Sequence, residues 1–184
     1  MMRKVGAELL ENGNCRFTVW SPLAENVQVL IKEWKEPVQL HKDVEGYWEA
    51  EVSNLRAGSL YKIRLDEEAE FPDPASRSQP EGVHSWSQVS NPFLHTWKDD
   101  GRISRKLNDM VIYELHVGTF TPEGTFEAII EKLPHLKELG VNTLELMPIA
   151  QFPGNRNWGY DGVYPYATQD SYGGEAGLKN FIDT

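Results

Sequence analysis

Short runs of alternating hydrophobic and polar residues, separated by turn sequences, fill the first third of the chain. In CRFTVW, Phe17 and Val19 alternate with Arg16, Thr18 and Trp20, and VQVLI, GYWEAEV and GSLYKIRL follow at regular intervals. A period of two residues is that of a half-buried strand. Several such strands in succession are typical of an all-β sandwich, which we predict for residues 1–95.

Three tryptophans of this predicted sandwich have rings suited to contact with a flat ligand. Trp20 and Trp48 lie inside alternating strands, which favours packing between the two sheets. Trp34 lies beside Lys35 and Glu36 at a predicted turn, so we expect its ring to be exposed. Ligand binding by the sandwich stays open at this point.

The segment from Asp66 to Asp109 has several prolines and little periodicity. Its aromatic and aliphatic content is nevertheless too high for a solvated linker, so we predict an ordered but irregular connection. We place a linker at residues 96–109 within it.

A different pattern begins at Met110. The segment MVIYELHVG is a compact apolar strand, and the next hydrophobic residues, from Phe126 to Leu139, recur at helical spacing. Pro134 should divide that helix and Gly140 should end it. The second strand VNTLELMP, a long loop and the helical segment GGEAGLKNFIDT complete a β-α-β unit of a parallel sheet.

The long loop QFPGNRNWGYDGVYPYATQDSYGG, residues 151–174, concentrates aromatic side chains among glycines and prolines. Its rings are Trp158, Tyr160, Tyr164, Tyr166 and Tyr172. Because an aromatic ring matches the C–H face of a sugar at low conformational cost, we interpret the loop as a carbohydrate platform. The alternative is a tyrosine-rich loop that packs on its own domain.

Composition limits the classes of partner. The formal net charge is −10, with 18 Lys+Arg against 28 Asp+Glu, which argues against binding to nucleic acid. The single cysteine, Cys15, indicates a reduced thiol, and no apolar run is long enough for a signal peptide or a membrane span, so we expect a cytoplasmic location. The sequence offers no phosphate-binding glycine motif and no metal-ligand cluster, so we expect neither cofactor nor metal.

Several of these segments resemble the alpha-amylase superfamily of glycoside hydrolases. The sandwich segments are similar to the immunoglobulin-like domain that precedes the barrel in its branching and debranching members. YELHVGTFTPEGTF and KLPHLKELGVNTLELMPIAQFPGNRNWGYDGVYPYA resemble the first two units of its (β/α)8 TIM barrel. The resemblance thus implies a sandwich at 1–95, a linker at 96–109 and the start of a barrel at 110–184.

Two further segments, DPASRSQPEGVHSWSQV and FPGNRNWGYDG, resemble the maltooligosyltrehalose trehalohydrolase branch of that superfamily. This resemblance implies cleavage of the α-1,4 bond next to the trehalose unit of maltooligosyltrehalose, with release of trehalose. It also implies that Tyr160 stacks on the sugar beside that bond. Trp158, Asp161 and His116 are further candidates for substrate binding, although Trp158 is equally suited to bracing the loop and Asp161 to capping it.

The same resemblance places the catalytic carboxylates on the fourth, fifth and seventh barrel strands, after Thr184. We therefore expect no catalytic residue among these 184 residues and an inactive chain. Glu114 and Glu145 lie on predicted strands, and we interpret them as structural residues rather than an acid–base pair.

Two other functions remain open at this point. One is a branching enzyme, whose corresponding loop usually reads WGYQ, and the other is a non-catalytic α-glucan-binding module. In each case the expected partner is an α-glucan.

Overall fold

The computed structural model describes residues 3–66, 69–98 and 105–184. Its first part consists of short strands connected by tight turns. They are β1 (Gly6–Leu9), β2 (Cys15–Trp20), β3 (Val27–Ile31), β4 (Val38–Gln39), β5 (His41–Lys42), β6 (Tyr47–Val52), β7 (Leu60–Leu65), β8 (Ala69–Phe71) and β9 (Ser87–Gln88).

The strands form two antiparallel sheets. One has the order β1-β2-β6-β5, and the other has the order β4-β3-β7-β8, with β9 also paired to β7. Side chains from both sheets share one core, in which the rings of Phe17 and Tyr61 meet edge to face at 5.0 Å. Burying a side chain of this size contributes roughly 1.5–3 kcal/mol. The predicted sandwich of two sheets is confirmed.

The tryptophans of the sandwich differ in exposure. Trp48 lies in the shared core, as predicted, and Trp34 is exposed, as predicted. The prediction that Trp20 packs in the core is wrong, since 60% of its surface is accessible. Trp20 shares its strand face with Arg16, which pairs with Glu51 at the surface, and this face points away from the second sheet.

The irregular connection is ordered where it is described. Asp73 is buried and accepts hydrogen bonds from the Tyr61 hydroxyl at 2.7 Å and from the Ala75 amide at 2.9 Å. Burial raises the pKa of this carboxyl. Residues 67–68 and 99–104, which include part of the predicted linker 96–109, lie outside the described residues.

The second part begins with a short 3₁₀ turn and a parallel strand pair. Its elements are β10 (Ile112–Leu115), α1 (Val117–Phe120), α2 (Phe126–Ile130), α3 (Leu133–Glu138), β11 (Thr143–Leu146), β12 (Ala150–Gln151), β13 (Tyr164–Thr168) and α4 (Gly174–Ile182). Strands β10 and β11 pair in parallel, with Ile112 opposite Thr143 and Leu115 opposite Leu146. The predicted parallel β-α-β order is confirmed.

The helix between these strands is divided where the sequence predicts. Helix α2 ends at Ile130, and α3 starts one residue before Pro134. Two details differ from the prediction. The first strand ends at Leu115 rather than running on to Gly118, and the long loop contains an antiparallel pair, β12 and β13.

The two parts meet through polar contacts and one small apolar cluster. The Tyr164 hydroxyl donates to the Val83 carbonyl oxygen at 2.8 Å, and these residues are buried together with Ala167. At the other end of the contact, the Lys179 ammonium donates to the Pro92 carbonyl at 3.1 Å. Among the helices that the structure describes, none has the length and apolar character needed to cross a membrane.

Candidate functional site at the ends of the parallel strands

The carboxyl ends of β10 and β11 open at the same edge, as they must in a parallel pair. His116 directly follows β10, and the loop from Pro148 onward follows β11. At this edge the Nε2 atom of His116 lies 2.6 Å from the carbonyl oxygen of Asn157. Two segments 41 residues apart are thus joined by one side chain.

The hydrogen bonds of His116 indicate its tautomer. The Asn157 carbonyl oxygen can only accept, so Nε2 carries a proton and donates to it. Nδ1 then accepts from the Thr119 hydroxyl, 3.1 Å away. The Tyr172 hydroxyl oxygen also lies 3.2 Å from Nε2, and burial raises the pKa of this phenol. The ring is buried with a polar contact on each nitrogen.

A cavity of about 500 Å³ opens beside His116. It is lined by residues that directly follow β10 and by the tip of the long loop: His116, Gly118, Thr119, Asn155, Arg156, Asn157 and Trp158. The Trp158 ring packs edge-on against His116 at 5.4 Å and is 64% exposed. The cavity therefore combines an accessible aromatic ring with amide, hydroxyl and guanidinium groups, a mixture suited to a polyhydroxylated ligand.

Asn157 organises the tip of the loop. Its Oδ1 accepts from the Gly159 amide at 2.7 Å, and its Nδ2 donates to the Asp161 carboxylate at 3.1 Å. Gly159 has φ +93°, and a Cβ atom there would lie 2.1 Å from the Pro148 carbonyl oxygen. Only glycine fits this approach of loop to strand end.

Two buried glutamine side chains fix the base of the loop. Gln169 accepts from the Phe152 amide at 2.9 Å and donates to the Gly154 carbonyl at 3.0 Å. Gln151 accepts from the Asp170 amide at 2.9 Å. These amide groups replace the backbone hydrogen bonds that an irregular loop lacks.

The five aromatic rings of the loop do not form one surface. Trp158, Tyr160 and Tyr166 are exposed, whereas Tyr164 and Tyr172 are buried in the protein. Three rings are therefore accessible, as the predicted carbohydrate platform requires, whereas two rings pack in the protein. Tyr160 is the most accessible of them, at 72%.

The structure brings together three of the four candidate binding residues. Trp158 touches His116, and Asp161 is linked to His116 through Asn157. The Asp161 carboxylate thus contacts its own loop, and it is also exposed, so both of its predicted roles remain predictions. Tyr160 lies on the same loop but does not line the cavity beside His116.

No role was predicted from the sequence for Asn157, Thr119, Gln151 or Gln169. The signal for Asn157 was available, because an asparagine two residues before a glycine is suited to a side-chain turn. Gln151 and Gln169 carried no such signal, since a buried and an exposed glutamine look alike in a sequence.

Glu114 and Glu145 lie within β10 and β11, before the carboxyl ends that form this edge. Glu114 and Glu145 are register partners on β10 and β11, and both are exposed. Within residues 3–66, 69–98 and 105–184, no group of three His, Cys, Asp or Glu side chains is placed to hold a metal ion.

Comparisons with known proteins agree with this arrangement. Residues 4–87 match the family model of carbohydrate-binding module 48, the isoamylase N-terminal domain. The malto-oligosyltrehalose trehalohydrolase of Saccharolobus solfataricus is 48% identical over 178 residues, which cover 97% of this chain and 31% of that protein. The crystal structure of a "Putative alpha Amylase" from Salmonella typhimurium is 39% identical, with a TM-score of 0.93, and the match covers all of this chain and 31% of that one.

A less similar relative bears on the branching-enzyme alternative. The 1,4-alpha-glucan branching enzyme GlgB of Shewanella baltica is 31% identical over 91% of this chain and 25% of that protein. The chain spans about a third of the length of the trehalohydrolase that it matches. Over almost its whole length, the chain is related to the malto-oligosyltrehalose trehalohydrolases.

Proposed function

We propose that this chain is part of a glycoside hydrolase that cleaves the α-1,4 bond next to the trehalose unit of maltooligosyltrehalose. The reaction releases trehalose, so the protein acts in trehalose biosynthesis. The sandwich corresponds to the immunoglobulin-like domain at 1–95, followed by the linker at 96–109. Residues 110–184 correspond to the first units of a (β/α)8 barrel. We place the protein in the cytoplasm, where a buried free thiol such as Cys15 stays reduced.

One structural observation supports the proposal most directly. The exposed rings of Trp158 and Tyr160 lie on the loop that leaves β11 at the carboxyl ends of two parallel strands, and Trp158 lines the cavity at His116. In barrel enzymes the active site forms at this end of the strands. An accessible aromatic ring beside amide and guanidinium groups is suited to a neutral sugar.

The requirements of glycoside hydrolysis indicate which parts of the protein contact the substrate and which carry the catalytic groups. Glycoside hydrolysis requires two carboxyl groups that face one anomeric carbon. Glu114 and Glu145 belong to the strands rather than the loop edge, and Asp161 is engaged with Asn157. These 184 residues therefore supply substrate contacts, and the catalytic carboxylates belong to later barrel strands.

An assay of trehalose release tests the proposal. The full-length protein that carries this chain is expected to release trehalose from maltooligosyltrehalose, and the 184-residue chain is expected to release none. Tyr160→Ala in the full-length protein should lower kcat/KM by at least tenfold, or ~1.4 kcal/mol. Turnover by the purified 184-residue chain, or a full-length protein without activity on this substrate, would overturn the corresponding part.

A branching activity is the second candidate, supported by the match to GlgB. The same protein incubated with amylose distinguishes the two, because a branching enzyme forms α-1,6 linkages and a trehalohydrolase does not. We favour the hydrolase because of the higher identity to the trehalohydrolase and the loop sequence NWGYDG.

A further inference from the structure

A second groove, of about 250 Å³, lies where the sandwich meets the hairpin of the long loop. It is lined by the residue before β1 and by residues of β2, of the connection after β8 and of β13: Val5, Thr18, Val19, Trp20, Asp73, Pro74, Ala75 and Tyr166. It shares no lining residue with the cavity at His116. The groove is thus a separate feature of the surface.

Two exposed aromatic rings border this groove, one from each part of the chain. Trp20 is 60% exposed, and its indole Nε1 donates to the Glu45 carbonyl at 3.3 Å, so the ring is held although it is accessible. Tyr166 is 65% exposed and lies on β13 between the buried residues Tyr164 and Ala167. Within the described part of the chain, no hydrogen bond engages the Tyr166 hydroxyl. A ring that is already held in place, as that of Trp20 is, loses little entropy when a ligand binds.

The chemistry of the groove selects a neutral ligand. Its surface is formed mainly by aliphatic and aromatic carbon, including Val19, Pro74 and Ala75. Its one ionisable carboxyl, Asp73, is buried and is engaged by Tyr61 and by the Ala75 amide. An anionic or cationic ligand would lose hydration here without gaining an opposite charge. A ligand with apolar C–H faces and hydroxyl edges gains stacking area and keeps its hydroxyls in water.

We propose that the groove between Trp20 and Tyr166 binds a neutral α-1,4-linked gluco-oligosaccharide, as a site additional to the cavity at His116. The choice of an α-glucan rests on the proposed function, whereas the placement of the site rests on the two rings. A glucan held at both places would gain affinity without new contacts, because the second contact becomes intramolecular. The sandwich then contributes directly to substrate capture.

Calorimetric titration of the 184-residue chain with maltoheptaose tests the site. Trp20→Ala and Tyr166→Ala are each expected to weaken binding by about tenfold, or ~1.4 kcal/mol. Phe93→Ala removes an exposed ring outside the groove and serves as the matched control, with unchanged affinity expected. Urea unfolding of each variant verifies that the fold is kept, and Trp20 and Tyr166 come from different strands, so one misfolded variant does not decide the result.

Each result of these titrations either supports or contradicts a glucan site in the groove. Unchanged affinity in both folded variants, or no binding of maltoheptaose to the chain, overturns the groove as a site. If affinity falls only in Tyr160→Ala, the groove proposal fails while the proposed function stands. If the groove variants lose affinity and the full-length protein releases no trehalose, the groove stands and the hydrolase proposal fails.

Discussion

The phenol of Tyr164 donates a 2.8 Å hydrogen bond to the carbonyl oxygen of Val83, 81 residues earlier in the chain. Both residues are buried, and Tyr164 begins β13 in the middle of the aromatic loop. The loop that carries Trp158 and Tyr160 is therefore joined to the irregular segment between β8 and β9 of the sandwich. This contact joins the segment that matches the family model of carbohydrate-binding module 48 to the loop of the candidate functional site.

Tyr164→Phe should lower the free energy of unfolding by about 1–3 kcal/mol, because it leaves a buried carbonyl without a donor. Tyr166→Phe is the matched control on the same strand and should change the free energy by less than about 0.5 kcal/mol, since its hydroxyl is exposed. Urea denaturation followed by tryptophan fluorescence measures both. Equal effects of the two changes would show that the bond to Val83 adds no stability.

Gly159→Ala should destabilise the protein by more than about 2 kcal/mol. The left-handed backbone costs an alanine about 1–2 kcal/mol, and the new Cβ also meets the Pro148 carbonyl oxygen. Gly154, in the same loop, has φ +74°, and a Cβ atom added there would meet no other atom within 4 Å. Gly154→Ala should therefore show only the cost of the left-handed backbone. Thermal unfolding of both variants compares them, and an equal loss would contradict a clash at Gly159.

His116 is expected to be the Nε2–H tautomer when it is neutral, because Nε2 faces the Asn157 carbonyl oxygen and Nδ1 faces the Thr119 hydroxyl. Two-bond ¹H–¹⁵N correlation NMR on histidine-labelled protein distinguishes the two nitrogens. Thr119→Val should leave Nε2 protonated but deprive Nδ1 of its donor. A proton on Nδ1 together with an unprotonated Nε2 in the unaltered protein would exclude a donated bond to Asn157.

Cys15 is expected to resist thiol reagents in the folded protein. It is fully buried in β2, and burial raises the pKa of its thiol to about 12. At pH 8 only about one thiol in ten thousand is then ionised, and that fraction is shielded. Labelling with a thiol reagent, with and without urea, measures this: rapid labelling of the native protein would mean that the strand opens readily.

Asp73→Asn should change the pH dependence of stability in a defined direction. Burial raises the folded-state pKa of Asp73 above its ordinary value of 3.8. The folded protein therefore keeps a proton that the unfolded chain releases, and this group's contribution to the free energy of unfolding falls as pH rises through that interval. Asparagine does not titrate. The free energy of unfolding of the original protein minus that of the variant should therefore decrease as pH rises and then level off.

Urea unfolding of both proteins from pH 3 to pH 8 measures that difference. Because exposed carboxylates titrate in both proteins, their contributions cancel. An increase of the difference with pH would mean that the folded protein favours the ionised carboxylate.

The sequence predicted the elements best where periodicity and a specific residue coincided. The alternation around Phe17 predicted β2, and Pro134 marked the division of the long helix. The parallel pairing of β10 with β11 followed from the order of strand and helix patterns.

The exposure of side chains was harder to predict at the ends of strands and in irregular segments. Trp20 occupies the last position of β2, on the face that carries Arg16, and nothing in a period of two tells whether another segment covers that face. The aromatic loop has no period at all, so the sequence did not separate the buried Tyr164 and Tyr172 from the exposed Tyr160. The side-chain amides that shape the loop act through tertiary contacts, which a local pattern does not encode.

The anchoring of the loop by Gln151 and Gln169 has a practical consequence for protein engineering. Both amides bond at the base of the loop, to the amides of Phe152 and Asp170 and to the Gly154 carbonyl, while residues 155–158 line the cavity beyond them. The lining of the cavity and the support of the loop are thus encoded by different positions. A library that randomises residues 155, 156 and 158 and keeps both glutamines would sample new ligand preferences on an unchanged frame.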